Sequence, residues 1–247
     1  MDSHVTLILG AAGGIGSALA RLLSQRGNRL VLAGRTPERL DALSATLPAD
    51  STTVALDARS SGAIAEAAAL AVSRFGRLDG VVCSVGSILL KPAHLTTDEE
   101  LDACLGANLK TAFATVKGTV RLLEATRGAI VLCSSAAADV GLTNHEAIAA
   151  AKAGVAALAR SAAATYAPKG IRVNAVAPGL VRTPLAARLL ASDALEQASA
   201  AMHPLGRIGE PEDVASAIAF LLDPAQSWLT GQVLGVDGGL ATLRNRK

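Results

Sequence analysis

Short apolar runs alternate along this chain with longer stretches of helical periodicity. Runs at 4–9 (HVTLIL), 29–33 (RLVLA), 52–56 (TTVAL), 80–83 (GVVC), 129–133 (AIVLC), 171–177 (IRVNAVA) and 232–236 (QVLGV) predict strands. Between them, 15–26, 37–46, 61–75, 98–125, 147–166 and 212–222 predict helices. Strands that are apolar throughout are buried on both faces, which requires a parallel sheet covered by helices. The alternation implies an α/β fold: a Rossmann-type, doubly wound parallel sheet of about seven strands with right-handed crossovers. The segment 178–211 breaks the rhythm with Pro178, Pro184 and Pro204 and a helical run, LAARLLASDALEQASAAM. An irregular insertion after the C-terminal end of a strand is where such folds carry substrate loops.

Composition adds limits. A chain of 247 residues suits a single domain, 1–247, with the insertion at about 184–210, and no internal repeat is visible. Hydrophobic residues make up 51% but aromatic residues 2%, so Ala, Leu, Val and Ile must build the core. A net charge of +2 implies no strong field for nucleic acid, and the basic end RNRK (244–247) reads as a solvated tail. Cys83, Cys104 and Cys133 are odd in number and unpatterned in spacing, which reads as reduced thiols in a cytoplasmic protein. The N-terminal apolar run is too short for a signal peptide and lacks a basic region before it. No stretch is expected to span a membrane; 147–167 comes close, but Lys152 and Arg160 interrupt it.

After the first strand comes Gly10-Ala-Ala-Gly13-Gly14-Ile15-Gly16, then a helix. Glycines there let the backbone turn and approach a pyrophosphate, to which the helix N-terminus presents free N–H groups and a positive dipole. The strand before and the helix after supply the context that a dinucleotide site requires.

The G-x-x-x-G-x-G spacing, taken with further motifs, resembles the short-chain dehydrogenase/reductase family over essentially the whole chain. LDGVVCSVG (78–86) resembles the family's stretch ending in Asn-Asn-Ala-Gly, and ANLKTAF (107–113) its asparagine-bearing helix. IVLCSS (130–135) resembles the strand ending at the catalytic serine, IRVNAVAPGLVRTP (171–184) the segment bordering the nicotinamide, and VLGVDGG (233–239) the closing strand. The resemblance implies a nicotinamide cofactor and a homodimer or homotetramer. The two long helices and the closing strand would form the interfaces.

At the end of the second strand, Gly34 stands where NAD-specific sites place a carboxylate, and Arg35 follows. A guanidinium pairs with a 2′-phosphate that a carboxylate would repel, so NADP(H) is favoured over NAD(H), with Arg35 and Thr36 as the clamp. By resemblance, Asp57 meets the adenine amine. The resemblance also implies that Asn174, Pro178, Gly179 and Thr183 approach the nicotinamide end, and that Gly86 and Lys152 belong to the cofactor-binding set.

The family's carbonyl reductases use a tyrosine acid, a lysine four residues later, a serine and an asparagine. Asn108, Ser135 and Lys152 match three of these, but Ile148 occupies the tyrosine position. The one tyrosine, Tyr166, lies fourteen residues past Lys152 and reads as structural. Three readings stay open. In the first, a conjugated C=C or unusual carbonyl substrate is reduced. His145, seven before Lys152, resembles the tyrosine placement of the fold's enoyl reductases and is a candidate acid. The bland alternative for NHEA (144–147) is a helix start, with Asn144 as N-cap and His145 an exposed first-turn residue. The second reading is slow carbonyl or alcohol chemistry through Ser135, Lys152 and water. The third is a nucleotide-binding pseudoenzyme. Cys133 and Ser134 read as strand-end packing. The loop 184–206 is mostly apolar, which suits an aliphatic or acyl-type small-molecule substrate or an oligomer contact.

Overall fold

The computed structural model describes residues 4–244. The last three residues of the basic tail therefore lie outside the described residues. Seven parallel strands form one sheet: β1 (Val5–Leu9), β2 (Arg29–Gly34), β3 (Ser51–Ala55), β4 (Gly80–Cys83), β5 (Ala129–Cys133), β6 (Arg172–Pro178) and β7 (Val233–Val236). Their order is β3-β2-β1-β4-β5-β6-β7. Every strand expected from the apolar runs is present, within a residue or so at each end. The periodicity of two explains the packing. Leu7 and Leu9 enter one apolar layer while Ile8, between them, enters the other. Each is fully buried and contributes on the order of 1.5–3 kcal/mol of transfer free energy.

One layer is closed by α3 (Ser61–Phe75), α5 (Thr111–Leu123) and α6 (Glu146–Tyr166). The other is closed by α1 (Gly14–Gln25), α2 (Pro37–Ser44) and α8 (Pro211–Leu222). Local chemistry sets the helix ends. Ser60 Oγ accepts from Ala63 N–H at the start of α3, and Gly76 closes it at φ 82°. α6, with the turn after it, is long and apolar enough to cross a membrane by length and composition (Glu146–Lys169). Half of its apolar window is buried inside the fold. Tyr166 ends α6 packed against the core, as expected of a structural residue.

The expected single helix over 98–125 is in fact two. α4 (Asp98–Leu105) opens on a Thr97–Glu100 capping box and gives way to a π-helical turn, Gly106–Lys110, before α5. The reason is Asn108, whose side-chain amide donates to the Cys104 carbonyl at 2.9 Å and so enters the helical ladder. The insertion also differs from one continuous helix. A 3₁₀ stretch, Pro184–Leu190, precedes α7 (Asp193–Met202), and Ser192 restarts the helix by capping Leu195 N–H.

Candidate active site

All the motif loops emerge at the C-terminal ends of the parallel strands. The chain runs outward from β1 through β2 to β3, then crosses to β4 on the other side of β1. This reversal opens a crevice between the loops after β1 and β4, the usual ligand position in such sheets. Ser84 ties the two loops together: its Oγ donates to the Leu9 carbonyl at 2.9 Å.

Gly10 turns the chain at φ 82°, and Gly13 is the N-cap of α1 with no side chain to satisfy the helix N–H groups. A Cβ at Gly16 would collide with the Gly10 carbonyl oxygen. A Cβ at Gly14 would lie 2.6 Å from Thr183 Cγ2, so Thr183 rests directly on the loop. Gly13, Gly14, Ile15 and Gly16 thus form a helix N-terminus at which positions 14 and 16 admit no side chain and which a phosphate can approach.

At the second and third strand ends, Arg35 is exposed and Thr36 is the N-cap of α2 without a side-chain cap bond. Asp57 is held by Arg59: Nε donates to its two oxygens at 3.1 and 2.9 Å, and Nη2 to Oδ2 at 2.6 Å. These bonds, together with the Arg59 backbone N–H, keep the Asp57 carboxyl down at about 2. Arg39, which no motif marks, donates from Nη2 to the Ala12 carbonyl at 2.7 Å. Its place three residues after Thr36, one turn into α2, was the only available signal.

At the other end of the crevice, Lys152 is buried and donates from Nζ to the Cys133 carbonyl at 2.8 Å. Ser134 Oγ donates to the Lys152 carbonyl at 2.9 Å, fixing the same helical turn. Cys133 packs against the core as expected, and its backbone carbonyl, together with the Ser134 hydroxyl, also sets the lysine. Among the described residues Lys152 forms no ion pair. Asn108 Nδ2 also donates to Ser87 Oγ at 3.1 Å, and its Oδ1 accepts from Ser87 N–H at 3.3 Å. A Cβ on Gly86 would lie 2.8 Å from Asn108 Oδ1 and 3.4 Å from Lys152 Nζ. The two side chains converge on this bare backbone. Ser135 Oγ accepts from Ala137 N–H at 3.2 Å, which leaves its own proton to donate.

Ile148, at 5% exposure, is sealed in an apolar cluster with Cys104, Ala147 and Ala151, flanked by Leu89, Leu90, Leu101 and Leu105. Burial pushes the Cys104 thiol up, against the opposing pull of Lys152 and Asn108. Asn144 is not the N-cap of α6. It takes a left-handed φ of 63°, and His145 occupies the cap position without a cap bond. Asn144 tolerates the left-handed turn because its short polar side chain suits that region. The Lys91 N–H donates to the Asn144 carbonyl at 2.8 Å and holds the turn ahead of the helix. The His145 ring is half-buried, and its Nδ1 donates to the Thr143 carbonyl at 2.8 Å. That contact directs the ring to its own loop.

Pro178 ends β6 and Gly179 follows it toward Thr183, whose Oγ1 accepts from Ala186 N–H at 3.3 Å. Asn174 lies within β6, fully buried. Its side chain bonds Leu229 and Gln232 of the segment leading to β7, so it knits the sheet.

Comparison with known proteins agrees with this geometry. Residues 10–241 match the family profile described as enoyl-(acyl carrier protein) reductase. The chain is 42% identical to cis-4-hydroxycyclohexanecarboxylate dehydrogenase of Sinomonas cyclohexanicum, covering 96% of both chains. It is 35% identical to 3-oxoacyl-(acyl-carrier-protein) reductase of Thermotoga maritima, covering 97% of this chain and 98% of that one. It is 34% identical to D-threitol dehydrogenase of Mycolicibacterium smegmatis, covering 97% and 93%. A solved short-chain dehydrogenase/reductase from Mycobacterium ulcerans superposes with a TM-score of 0.93 at 30% identity, covering 99% and 92%. The seven-stranded sheet, the glycine loop and these matches over nearly the full length establish that the chain belongs to the short-chain dehydrogenase/reductase family.

Proposed function

We propose that this oxidoreductase uses NADP(H) and reduces a C=C bond conjugated to a carbonyl in a small aliphatic or acyl-type substrate. The observation that carries the reading is the convergence of Lys152 and Asn108 on Gly86 while Ile148 is sealed in apolar contacts.

The crevice fits a dinucleotide. Its glycine cradle has no room for side chains, and the first N–H groups of α1 have no side-chain cap. Gly10, Gly13, Gly14, Ile15 and Gly16 would hold the pyrophosphate. Arg35, Thr36 and Arg39 would hold the 2′-phosphate, and Asp57 would lie at the adenine. Gly86, Lys152, Pro178, Gly179 and Thr183 would border the nicotinamide ribose. When bound, the nicotinamide supplies or accepts a hydride.

The Ser135 hydroxyl is free to donate to a substrate oxygen, and the Lys152 ammonium lowers the energy of negative charge nearby. That suffices for an enolate, which takes its proton at carbon from water. An alkoxide formed from a ketone needs a proton at oxygen, and lacking the acid costs about 10²–10⁴-fold. For His145 to be that acid, its ring must leave the Thr143 carbonyl. A second reading, alcohol or carbonyl oxidoreduction, is favoured by the names of the relatives, which specify a hydroxycyclohexanecarboxylate and threitol.

The deciding assay follows NADPH oxidation with α,β-unsaturated acyl thioesters and with matched ketones. Faster turnover of the unsaturated compounds is expected. Faster ketone turnover selects the second reading, and NADPH binding with no turnover selects a nucleotide-binding pseudoenzyme.

We also infer a homodimer or homotetramer, supported by the exposed large side chains of Trp228 at 97%, Phe220 in α8 and Leu234 in the edge strand β7. Cys83, Cys104 and Cys133 are free thiols, which suits a cytoplasmic setting.

A further inference from the structure

His203 joins the insertion to the segment beside the glycine loop. It stands at the C-cap of α7 and is 4% exposed. Its Nδ1 lies 2.8 Å from the Ser199 carbonyl of α7, and its Nε2 lies 3.1 Å from the Leu180 backbone N–H. A carbonyl only accepts and an amide N–H only donates, so the ring must be neutral with its proton on Nδ1. Both ring nitrogens are used, each by a different segment.

The backbone fits around the ring. A Cβ on Gly179 would lie 2.6 Å from His203 Nε2. Four residues after Gly179, Thr183 rests on Gly14 of the glycine loop. A shift of the Leu180 peptide therefore changes how Thr183 meets that loop. Arg182 makes a second tie between these segments, to Glu196 at 2.6 Å, but that pair is exposed and contributes little. Among the charged groups around the ring, Arg207 and Asp213 pair with each other at 2.6 Å, and Asp237 accepts from the Gly239 and Ala241 N–H groups. The backbone of the segment also pairs with Gly209, whose N–H donates to the Leu180 carbonyl at 2.9 Å and whose carbonyl accepts from Arg182 N–H at 2.8 Å. The imidazole is its buried tie to α7, beside the exposed Arg182–Glu196 pair.

We propose that His203 is a positioning residue for dinucleotide binding: its neutral imidazole couples the seat of α7 to the Gly179–Thr183 segment at the glycine loop. The inference rests on the proposed dinucleotide site and adds the element that holds one wall of it in place.

The test uses the full chain, with calorimetry against NADPH and long-range ¹H–¹⁵N spectra of the histidine rings. Wild type should show the His203 ring neutral and protonated at Nδ1. His203→Phe keeps a flat ring but loses both bonds, and should weaken NADPH binding on the order of tenfold, the scale of one buried hydrogen bond lost. His203→Gln returns an acceptor for Leu180 N–H and should recover most of that loss. Equal weakening by Phe and Gln, or no weakening by Phe, overturns the proposal. Should the Phe variant fail to fold, the spectrum decides: a ring protonated at Nε2 overturns it. Failure of wild type to bind NADPH overturns the dinucleotide reading instead, and the spectrum still judges the strap.

Discussion

The Lys152 ammonium donates to the Cys133 carbonyl at 2.8 Å, so the end of β5 and the second turn of α6 meet at a buried positive charge. No carboxylate among the described residues neutralises it, and ribose hydroxyls or a developing anion are the partners it suits. Lys152→Met should weaken NADPH binding by roughly tenfold to a hundredfold, the range for a lost charged hydrogen bond. Calorimetry checks this, with circular dichroism to confirm the fold.

In the proposed NADP(H) site, Arg35 just after β2 and Arg39 in the first turn of α2 would meet the 2′-phosphate. Arg35→Ala should reduce NADPH affinity by about tenfold and leave NADH affinity unchanged, because a guanidinium–phosphate pair is lost from one ligand only. Equal losses for both dinucleotides would contradict the clamp.

Ile148 lies in a closed apolar cluster, so Ile148→Ala should destabilise the protein by about 2–4 kcal/mol in urea unfolding. Ile148→Tyr adds volume there and should cost about 1–3 kcal/mol. It should also raise ketone reduction by a factor of about 10² or more, if only the acid is missing. No gain in a folded Ile148→Tyr protein would mean that the apolar wall, and not the absent phenol alone, excludes that chemistry.

Asp57 titrates at about 2 in the folded protein because Arg59 grips it, against 3.8 for the ordinary side chain. Its folded pKa is depressed, so its stabilising contribution is complete above about pH 4 and is lost as pH falls toward 2. The pair is exposed, and the energy involved is small. Carbon NMR titration of the Asp57 carboxyl should show this low midpoint, and Arg59→Ala should return it toward 3.8. An unchanged midpoint in Arg59→Ala would show that the pair does not form in solution.

Much of this was legible along the chain. The strands could be read because both faces of each central strand are buried, which leaves apolar runs with few interruptions. Gly10, Gly14 and Gly16 could be read because close backbone approach leaves no other residue type. Asn108, Ser135 and Lys152 carried their motif. Asn144 could not be placed, since a cap and a left-handed turn favour the same residue. Arg39 gave only its place one turn into α2 as a signal, and His203 gave none, because their partners, Ala12 and Leu180, are distant in sequence.

The sequence by itself determined the sheet, its order of elements, the glycine loop and the absence of a tyrosine at 148, all of which follow from local pattern and residue type. Only the tertiary structure decided that Asn108 sits on a π-turn, that Leu89 and Leu90 close over the Ile148 cluster, and that His203 bridges α7 to the segment after β6. Those arrangements depend on contacts between segments brought together by the sheet, and no periodicity along the chain encodes which side chain will meet which backbone group there.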